Sequence, residues 1–149
     1  MCRKYSDDAF TFGTIICYND AMPRERIRFS LMHELGHQVL DTENEVTANQ
    51  FASHILAPRS ILIKSGLTDI QDIAKLFSIS KEAASYAKKD ALSSYRNCDG
   101  DNTILEHFYV PSKQMTIYHI SECPVCGSTI YNSIKNTCIQ CKKLSIKTI

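Results

Sequence analysis

Apolar residues recur at helical spacing between residues 24 and 57, and this pattern predicts two helices joined by a short break. Pro23 precedes the first turn, and Asp41–Thr42 interrupts the pattern after Leu40. The first helix carries a stripe of apolar residues spaced four apart: Ile27, Leu31, Leu35 and Val39. Further apolar side chains lie beside this stripe, so we expect the helix to be covered on most of its sides.

The second helix is predicted to run from about Glu43 to Ala57, because Pro58 stops it. Its apolar face consists of Ala48, Phe51, Ala52, Ile55 and Leu56. Glu45 lies three residues before this face begins and falls on it, whereas Glu43 falls on the polar face. An ionised carboxylate on a buried face is costly unless it is paired or binds a metal ion. The alternative is that Glu45 closes a capping box that begins at Thr42.

The segments around these two helices predict further elements. Phe10–Tyr18 is rich in β-branched and aromatic residues and predicts one strand that ends in a turn. Residues 59–96 predict three short helices. Gly66 ends the first, Thr68–Gln71 forms a capping box before the second, and Ser80 caps the third. Residues 1–97 are therefore predicted to be mainly helical.

A polar segment at residues 97–102 predicts a boundary between two modules, residues 1–97 and residues 98–149. Beyond it, Thr103–Val110 and Gln114–Ile120 predict two strands joined by a turn. The predicted fold class is α+β: a mainly helical core with a small antiparallel sheet, followed by a β-hairpin and a small C-terminal module.

Composition and charge narrow the class of protein. The chain has 149 residues, 44% of them hydrophobic, and a net charge of +1. These values describe an ordinary globular protein and give no bulk electrostatic reason to bind nucleic acid or a membrane. No apolar run reaches the length of a membrane span, and the first eight residues lack the apolar core of a signal peptide. We therefore expect a cytoplasmic protein.

The segment His33-Glu34-Leu35-Gly36-His37 lies inside the first predicted helix. Residues four apart share one helix face, so His33 and His37 can bind a single metal ion, and Glu34 can take a proton from a water molecule at that ion. This spacing is the HExxH signature of zinc peptidases. The alternative is an amphipathic helix whose histidines are satisfied by hydrogen bonds. Gly36 indicates that another backbone or a substrate passes close to the helix.

A catalytic zinc site needs a third protein ligand, and helical phase favours Glu45 over Glu43. Asn49, one turn later, can hold a ligand in place. In this interpretation Glu34 removes the proton of the attacking water and passes it to the leaving amine. The strand over residues 10–18 either holds a substrate backbone by strand addition or is an ordinary sheet strand. Candidates for stabilising the oxyanion are Tyr18, Tyr86, His54 and His107.

Four of the seven cysteines form two CxxC pairs: Cys123, Cys126, Cys138 and Cys141. Four thiolates at this spacing predict a closed, structural zinc site of the zinc-ribbon kind. A redox role is the alternative, but a thioredoxin motif needs a single pair on a strand–helix unit. A module this small should fold only with its metal. Three cysteines in no motif are predicted to be free thiols: Cys2, Cys17 and Cys98.

Several blocks of the sequence together resemble a known protein family. The blocks Arg26–His37 and Glu45–Pro58 together resemble the ImmA/IrrE family of metallopeptidases. The resemblance continues through Ile73–Ala84 and covers about residues 10–95. It implies a zincin-like core and a peptidase that cleaves helix-turn-helix repressors of mobile elements or stress responses.

The same resemblance implies that His33, His37 and Glu45 bind the catalytic zinc, with Glu34 as the general base. Two features depart from the family pattern. Seven residues separate His37 from Glu45, a short connection, and the segment before Arg26 is shorter than the pattern leads us to expect.

The sequence thus predicts a cytoplasmic zinc endopeptidase with one catalytic and one structural zinc, acting on one protein substrate, a helix-turn-helix repressor. The rival function is a non-enzymatic adaptor or a DNA-binding regulator in which the HExxH zinc is structural. Residues 77–80 resemble the turn of a DNA-reading motif with lysines nearby, although Glu82 and Asp90 dilute the positive charge. The alternative for this segment is that its helices complete the peptidase core.

Overall fold

The computed structural model describes residues 6–94, 103–135 and 137–146. It divides the chain into two compact units, residues 1–97 and 98–149. The polar segment at residues 97–102 lies outside the described residues, as do Cys2 and Cys98. Cys17 is a free thiol, as predicted. Within the described parts of the chain, no helix is both long enough and apolar enough to cross a bilayer.

The first unit begins with an antiparallel hairpin of two strands, β1 (Ala9–Phe12) and β2 (Ile15–Tyr18). The single strand predicted over residues 10–18 is therefore wrong. The chain reverses at Gly13, which has a φ of +60°. Glycine adopts this conformation without the steric cost that a Cβ atom would bring, so it can interrupt a run of strand-forming residues.

Helices make up the rest of the described part of this unit: α1 (Arg24–Leu40), α2 (Glu45–Leu56), α3 (Arg59–Ser65), α4 (Ile70–Phe77) and α5 (Lys81–Ser94). The end of α3 at Gly66 and the cap of α5 by Ser80 are confirmed, since Gly66 is left-handed and Ser80 Oγ accepts a hydrogen bond from an α5 backbone N–H. The start of α4 differs from the prediction. Asp69, rather than Thr68, is the N-cap, and its carboxylate accepts from two backbone N–H groups.

The apolar core of this unit lies among α2, α3, α4 and α5. The buried residues that form it are Ala48, Ala52, Leu56, Ala57, Ile61, Leu62, Ile73, Phe77, Ile79, Ala84, Ala87 and Ala91. Alanines on α2 and α5 allow the helices to pack closely. Arg28 of α1 donates hydrogen bonds of 2.7 Å to the carbonyl oxygens of Phe77 and Ser78, and so holds α1 against the end of α4.

Helix α1 is less covered than predicted. Along α1, Ser30 and Gly36 are the buried residues, while Val39 is 60% exposed. The expected cover is therefore present over residues 27–37, which are buried or half-buried, and absent at residues 38–40, which are exposed. The expectation for Gly36 is confirmed. A Cβ atom there would lie 3.3 Å from the Cα of Ala48 and 3.0 Å from the ring of Phe51, so the backbone of α2 passes close by.

Helix α2 begins at Glu45, later than predicted. Asn44 is the N-cap, and its side chain accepts hydrogen bonds from the backbone N–H groups of Val46 and Thr47. The alternative capping box from Thr42 to Glu45 does not form. Because Glu45 is the first residue of the helix, its side chain is 72% exposed, and the prediction that it lies on the buried face is wrong.

The described part of the second unit begins with a short helix, α6 (Thr103–His107), in place of the predicted strand. The strand predicted over Thr103–Val110 is reduced to β3 (Tyr109–Val110). It pairs with β4 (Met115–Thr116) across a 3-10 turn at Pro111–Lys113. A helix of five residues is too short to show a helical period in the sequence, which is why the alternation was misleading.

A second hairpin follows, in which β5 (Ile120–Glu122) pairs with β6 (Thr129–Tyr131), and the described part of the unit ends with α7 (Ile139–Ile146). The side chain of Asn132 donates a 2.7 Å hydrogen bond to the carbonyl oxygen of Thr116 and so joins the two hairpins. The structure as a whole is mixed α+β and mostly helical with small antiparallel sheets, which confirms the predicted class.

Candidate active site and metal centres

The two histidines of the HExxH segment lie one turn apart on α1, and their rings are nearly perpendicular, with an interplanar angle of 81°. Nε2 of His33 lies 3.1 Å from Nε2 of His37. Nδ1 of His33 is 2.9 Å from Oδ1 of Asn49, and Nδ1 of His37 is 2.6 Å from the carbonyl oxygen of Thr42. Both oxygens can only accept, so each Nδ1 carries a proton. The two Nε2 atoms, 3.1 Å apart, are therefore the ring atoms that can bind a shared metal ion.

Glu45 adds a carboxylate to this pair. Its Oε2 lies 3.2 Å from Nε2 of His33, and its Oε1 lies 3.5 Å from Nε2 of His37. Neighbouring ligand atoms in a tetrahedral zinc site are about 3.4 Å apart, given metal–ligand bonds of about 2.1 Å. The three donors therefore fit one zinc ion. The histidine side chains are 16% and 19% exposed, whereas Glu45 leaves one side of the cluster open to solvent.

Glu34 lies beside this cluster and contacts the hairpin. Oγ1 of Thr11, on β1, donates a 2.8 Å hydrogen bond to Oε2 of Glu34. Gln38, one turn further along α1, donates from Nε2 to the same hydroxyl oxygen at 3.5 Å. The sequence pattern does not single out Thr11. Thr11 lies in the segment predicted as one strand before α1, but a strand read without its turn at Gly13 does not show which side chain faces the helix.

In the second unit, the sulfur atoms of the two CxxC pairs come together: those of Cys123, Cys126, Cys138 and Cys141 all lie within 4.8 Å of one another. Sγ of Cys126 is 3.6 Å from Sγ of Cys138. Sulfur ligands on one tetrahedral zinc ion are about 3.8 Å apart, given Zn–S bonds of about 2.3 Å. The cluster therefore has the dimensions of a zinc site.

The thiols of this cluster differ in acidity. The backbone N–H of Cys138 donates to the sulfur of Cys123, and this bond is the main reason that the pKa of Cys123 falls to about 6. Hydrogen bonds to the sulfurs of Cys126 and Cys138 raise the pKa of Cys141 to about 12. The first thiolate therefore forms readily, while the last forms only if a cation neutralises the group. A divalent metal ion provides that neutralisation.

A family model described as the IrrE N-terminal-like domain (Peptidase M78) matches residues 3–89 of the chain. The chain belongs to this family. The resemblance to ImmA/IrrE metallopeptidases is thereby confirmed, and the match includes α1, α2 and the HExxH segment. Membership of this family supports a metallopeptidase type of function with a protein substrate. A search of curated proteins and a search of solved structures each found no significant match.

The IrrE N-terminal-like domain contains a groove of about 1190 Å³. Its apolar lining includes Phe29, Val46, Leu56, Ala74, Ile79 and Tyr86, and charged residues from α1, α4 and α5 also line it. Asn49 lines the same groove and contacts His33. Asn49 therefore borders both the groove and the histidine pair.

The four candidates for the oxyanion have different surroundings in this family member. Nε2 of His54 lies 3.2 Å from Asp90, which also receives a 2.8 Å hydrogen bond from Arg59. This bond from Arg59 holds the pKa of the Asp90 carboxyl below its usual range, with a smaller contribution from His54. The imidazole of His54 thus belongs to an ion-pair network that joins α2, α3 and α5.

The remaining candidates lie on different elements. Tyr86 lines the groove and is 65% exposed, Tyr18 lies at the end of β2, and His107 belongs to α6 in the second unit. Tyr86 lines the same groove as Asn49, which contacts His33.

Proposed function

We propose that this chain is a zinc-dependent endopeptidase in which His33, His37 and Glu45 hold the metal and Glu34 is the general base. The observation that carries the proposal is the arrangement of donors. The two Nε2 atoms lie 3.1 Å apart, and the carboxylate oxygens of Glu45 lie 3.2 and 3.5 Å from them. Family membership supports peptidase chemistry. The described residues offer three donors in this group, and a site with three protein ligands keeps the fourth position for catalysis.

Zinc, when bound, supplies a Lewis acid that polarises the scissile carbonyl and activates a water molecule. The residues of the chain perform the remaining steps. Thr42 and Asn49 hold the imidazole rings with Nε2 toward the metal position. Glu34 accepts a proton from the water while the water oxygen bonds to the carbonyl carbon. Glu34 then delivers that proton to the amide nitrogen as the C–N bond breaks.

The direct test is Glu34→Gln. The amide keeps the shape of the side chain but cannot take a proton, so we expect kcat to fall roughly 10²- to 10⁴-fold while the zinc content is unchanged. Glu43→Gln is the matched control, because Glu43 is exposed and lies outside the ligand group. A Glu34→Gln protein that cleaves at the full rate would exclude Glu34 as the general base, whereas a zinc-loaded wild type that cleaves nothing would favour the adaptor or DNA-binding regulator.

The proposed substrate is a helix-turn-helix repressor of a mobile element or a stress response. Support comes from the family, because the family resemblance implies this substrate class. It also comes from the apolar groove, which is lined in part by Asn49. Binding energy from contacts away from the scissile bond can restrict cleavage to one partner. We expect the intact protein to cleave a repressor encoded beside its own gene and to leave unfolded casein intact. Ready digestion of casein would contradict this specificity.

The second unit is proposed to be a structural zinc ribbon, so that each chain binds two zinc ions. Its four sulfur atoms have the spacing of a closed site, and its small size leaves little apolar core without the metal. Four thiols kept free for metal also agree with the proposed cytoplasmic location, because a reducing compartment prevents them from forming disulfides.

A further inference from the structure

Glu34 is held by a side chain that comes from outside α1. The hydroxyl of Thr11 donates to Oε2 of Glu34 at 2.8 Å, and the amide of Gln38 donates to the same hydroxyl at 3.5 Å. Glu34 and Gln38 are four residues apart, so they share one face of the helix. Thr11 therefore bridges two side chains of α1 from the neighbouring strand.

The direction of this hydrogen-bond chain is fixed by its groups. The amide nitrogen of Gln38 can only donate, and a threonine hydroxyl has a single proton to give. The hydroxyl therefore accepts from Gln38 and donates to Glu34, whose ionised carboxylate can only accept. The bond occupies Oε2 and holds the plane of the carboxylate relative to α1. A glutamate without such a partner moves among several rotamers.

We propose that Thr11 is a positioning residue for Glu34: its hydroxyl holds Oε2, so that Oε1 is presented to the water that loses its proton. The inference rests on the proposed role of Glu34 as general base. It also assigns a role to the hairpin. Thr11 pairs with Ile16 of β2, and this register turns its hydroxyl toward α1, whereas a slip of one residue would turn it away.

The experiment compares three variants of the full-length protein. Thr11→Val keeps the branched shape and removes the hydroxyl, and we expect kcat for repressor cleavage to fall roughly 10- to 100-fold with KM and zinc content unchanged. Thr11→Ser keeps the hydroxyl and should restore most of the activity. Thr14→Val is the matched control, because Thr14 lies exposed in the turn of the same hairpin.

A second measurement does not depend on activity. Crystal structures of the wild type and of Thr11→Val should show one conformer of the Glu34 carboxylate in the first and a displaced or divided carboxylate in the second. Glu34→Gln is assayed in parallel. If Glu34→Gln is inactive while Thr11→Val retains full kcat, or if Thr11→Val loses kcat with an unmoved carboxylate, the positioning role is wrong and the proposed function stands. A zinc-loaded wild type without activity would overturn the proposed function, and this inference with it.

Discussion

Asn49 of α2 contacts His33 of α1 through a 2.9 Å distance between its Oδ1 and the imidazole Nδ1. The contact fixes which ring nitrogen carries the proton and turns Nε2 toward His37. Asn49 is exposed, so packing does not explain its position, and its side chain also lines the apolar groove. One side chain therefore connects the helix that carries the histidines with the surface proposed to receive substrate.

Removal of this contact should weaken zinc binding. We expect Asn49→Ala to lower zinc affinity roughly 10- to 100-fold, because His33 then loses the partner that orients its ring. Asn49→Asp should retain most of the affinity, since a carboxylate also accepts from Nδ1. Gln50→Ala serves as the control on the adjacent exposed position. Competition against a chromophoric chelator measures all three, and equal affinities for Asn49→Ala and the wild type would contradict the role.

The two glutamates at the start of α2 should differ in their effect on the metal. Glu45 lies 3.2 and 3.5 Å from the Nε2 atoms, whereas Glu43 precedes the helix. Glu45→Gln should therefore weaken zinc binding because a neutral amide is a poorer ligand than a carboxylate, and Glu43→Gln should leave it unchanged. The same chelator titration decides between them, and the reverse order would exclude Glu45 as a ligand.

Zinc in the second unit should depend on its cysteines and be independent of the histidine site. We expect two zinc ions per wild-type chain and one in the double variant Cys123→Ser, Cys138→Ser, because a closed site does not survive the loss of two thiolates. Cys17→Ser should keep both ions, since Cys17 lies outside the group. Elemental analysis of the purified proteins measures the ratio. An unchanged ratio in the double variant would exclude the ribbon.

A side chain at Gly36 should separate α1 from α2. Alanine improves helix propensity by about 1 kcal/mol, but its Cβ would lie 3.3 Å from the Cα of Ala48, and a backbone atom cannot move aside alone. We expect Gly36→Ala to lower the free energy of unfolding by about 1 kcal/mol net. Ser85→Ala on the exposed face of α5 should not be destabilising. Urea denaturation measures the free energy of unfolding of both variants. A higher value for Gly36→Ala than for the wild type would show that α1 and α2 can move apart to accommodate the methyl group.

The ion pair of Asp90 with Arg59 should make stability depend on pH in the acid range. The pKa of Asp90 is lowered in the folded state, chiefly by the hydrogen bond from Arg59. The contribution of the Asp90 carboxylate to the free energy of unfolding is therefore fully present above the unfolded-state pKa of about 3.9. It is lost as the pH falls through the folded-state pKa.

Asp90→Asn tests this dependence. The side chain of Asp90 is 40% exposed, so the loss at neutral pH should be about 0.5 to 1 kcal/mol after allowance for solvent screening. The difference between the wild type and the variant should shrink as the pH falls below about 4, where Asp90 becomes protonated. Chemical unfolding at a series of pH values measures it. A difference that does not shrink below about pH 4 would contradict the assignment.

The long helices could be predicted because their signals are local and redundant. Pro23 marks the start of α1, Gly66 and Ser80 mark helix ends through their own backbone and side-chain chemistry, and Gly36 indicates a close approach. The hairpin could not be predicted in the same way, since Gly13 lies within a run of strand-forming residues. The short helix α6 has too few residues to show a period.

The grouping of His33, His37 and Glu45 could be predicted, although the helical-phase argument for Glu45 is wrong. That argument places Glu45 on a buried face, yet Asn44 caps α2 and leaves Glu45 exposed at its first position. The side chain reaches the histidines from the helix start and not from the core. Thr11 could not be predicted because its contact with Glu34 depends on how a strand packs against a helix, which no local pattern encodes.

The connection between α1 and α2 has a consequence for the order in which the site is assembled. It reverses the chain within a few residues, with Asp41 in the left-handed conformation at a φ of 47°. The groups that surround the first metal position come from residues 33–49: His33, His37, Thr42, Glu45 and Asn49. Contacts this close in sequence form early, because little loop entropy opposes them. The proposed metal site can therefore form during synthesis, before α3, α4 and α5 exist to pack against the helix pair.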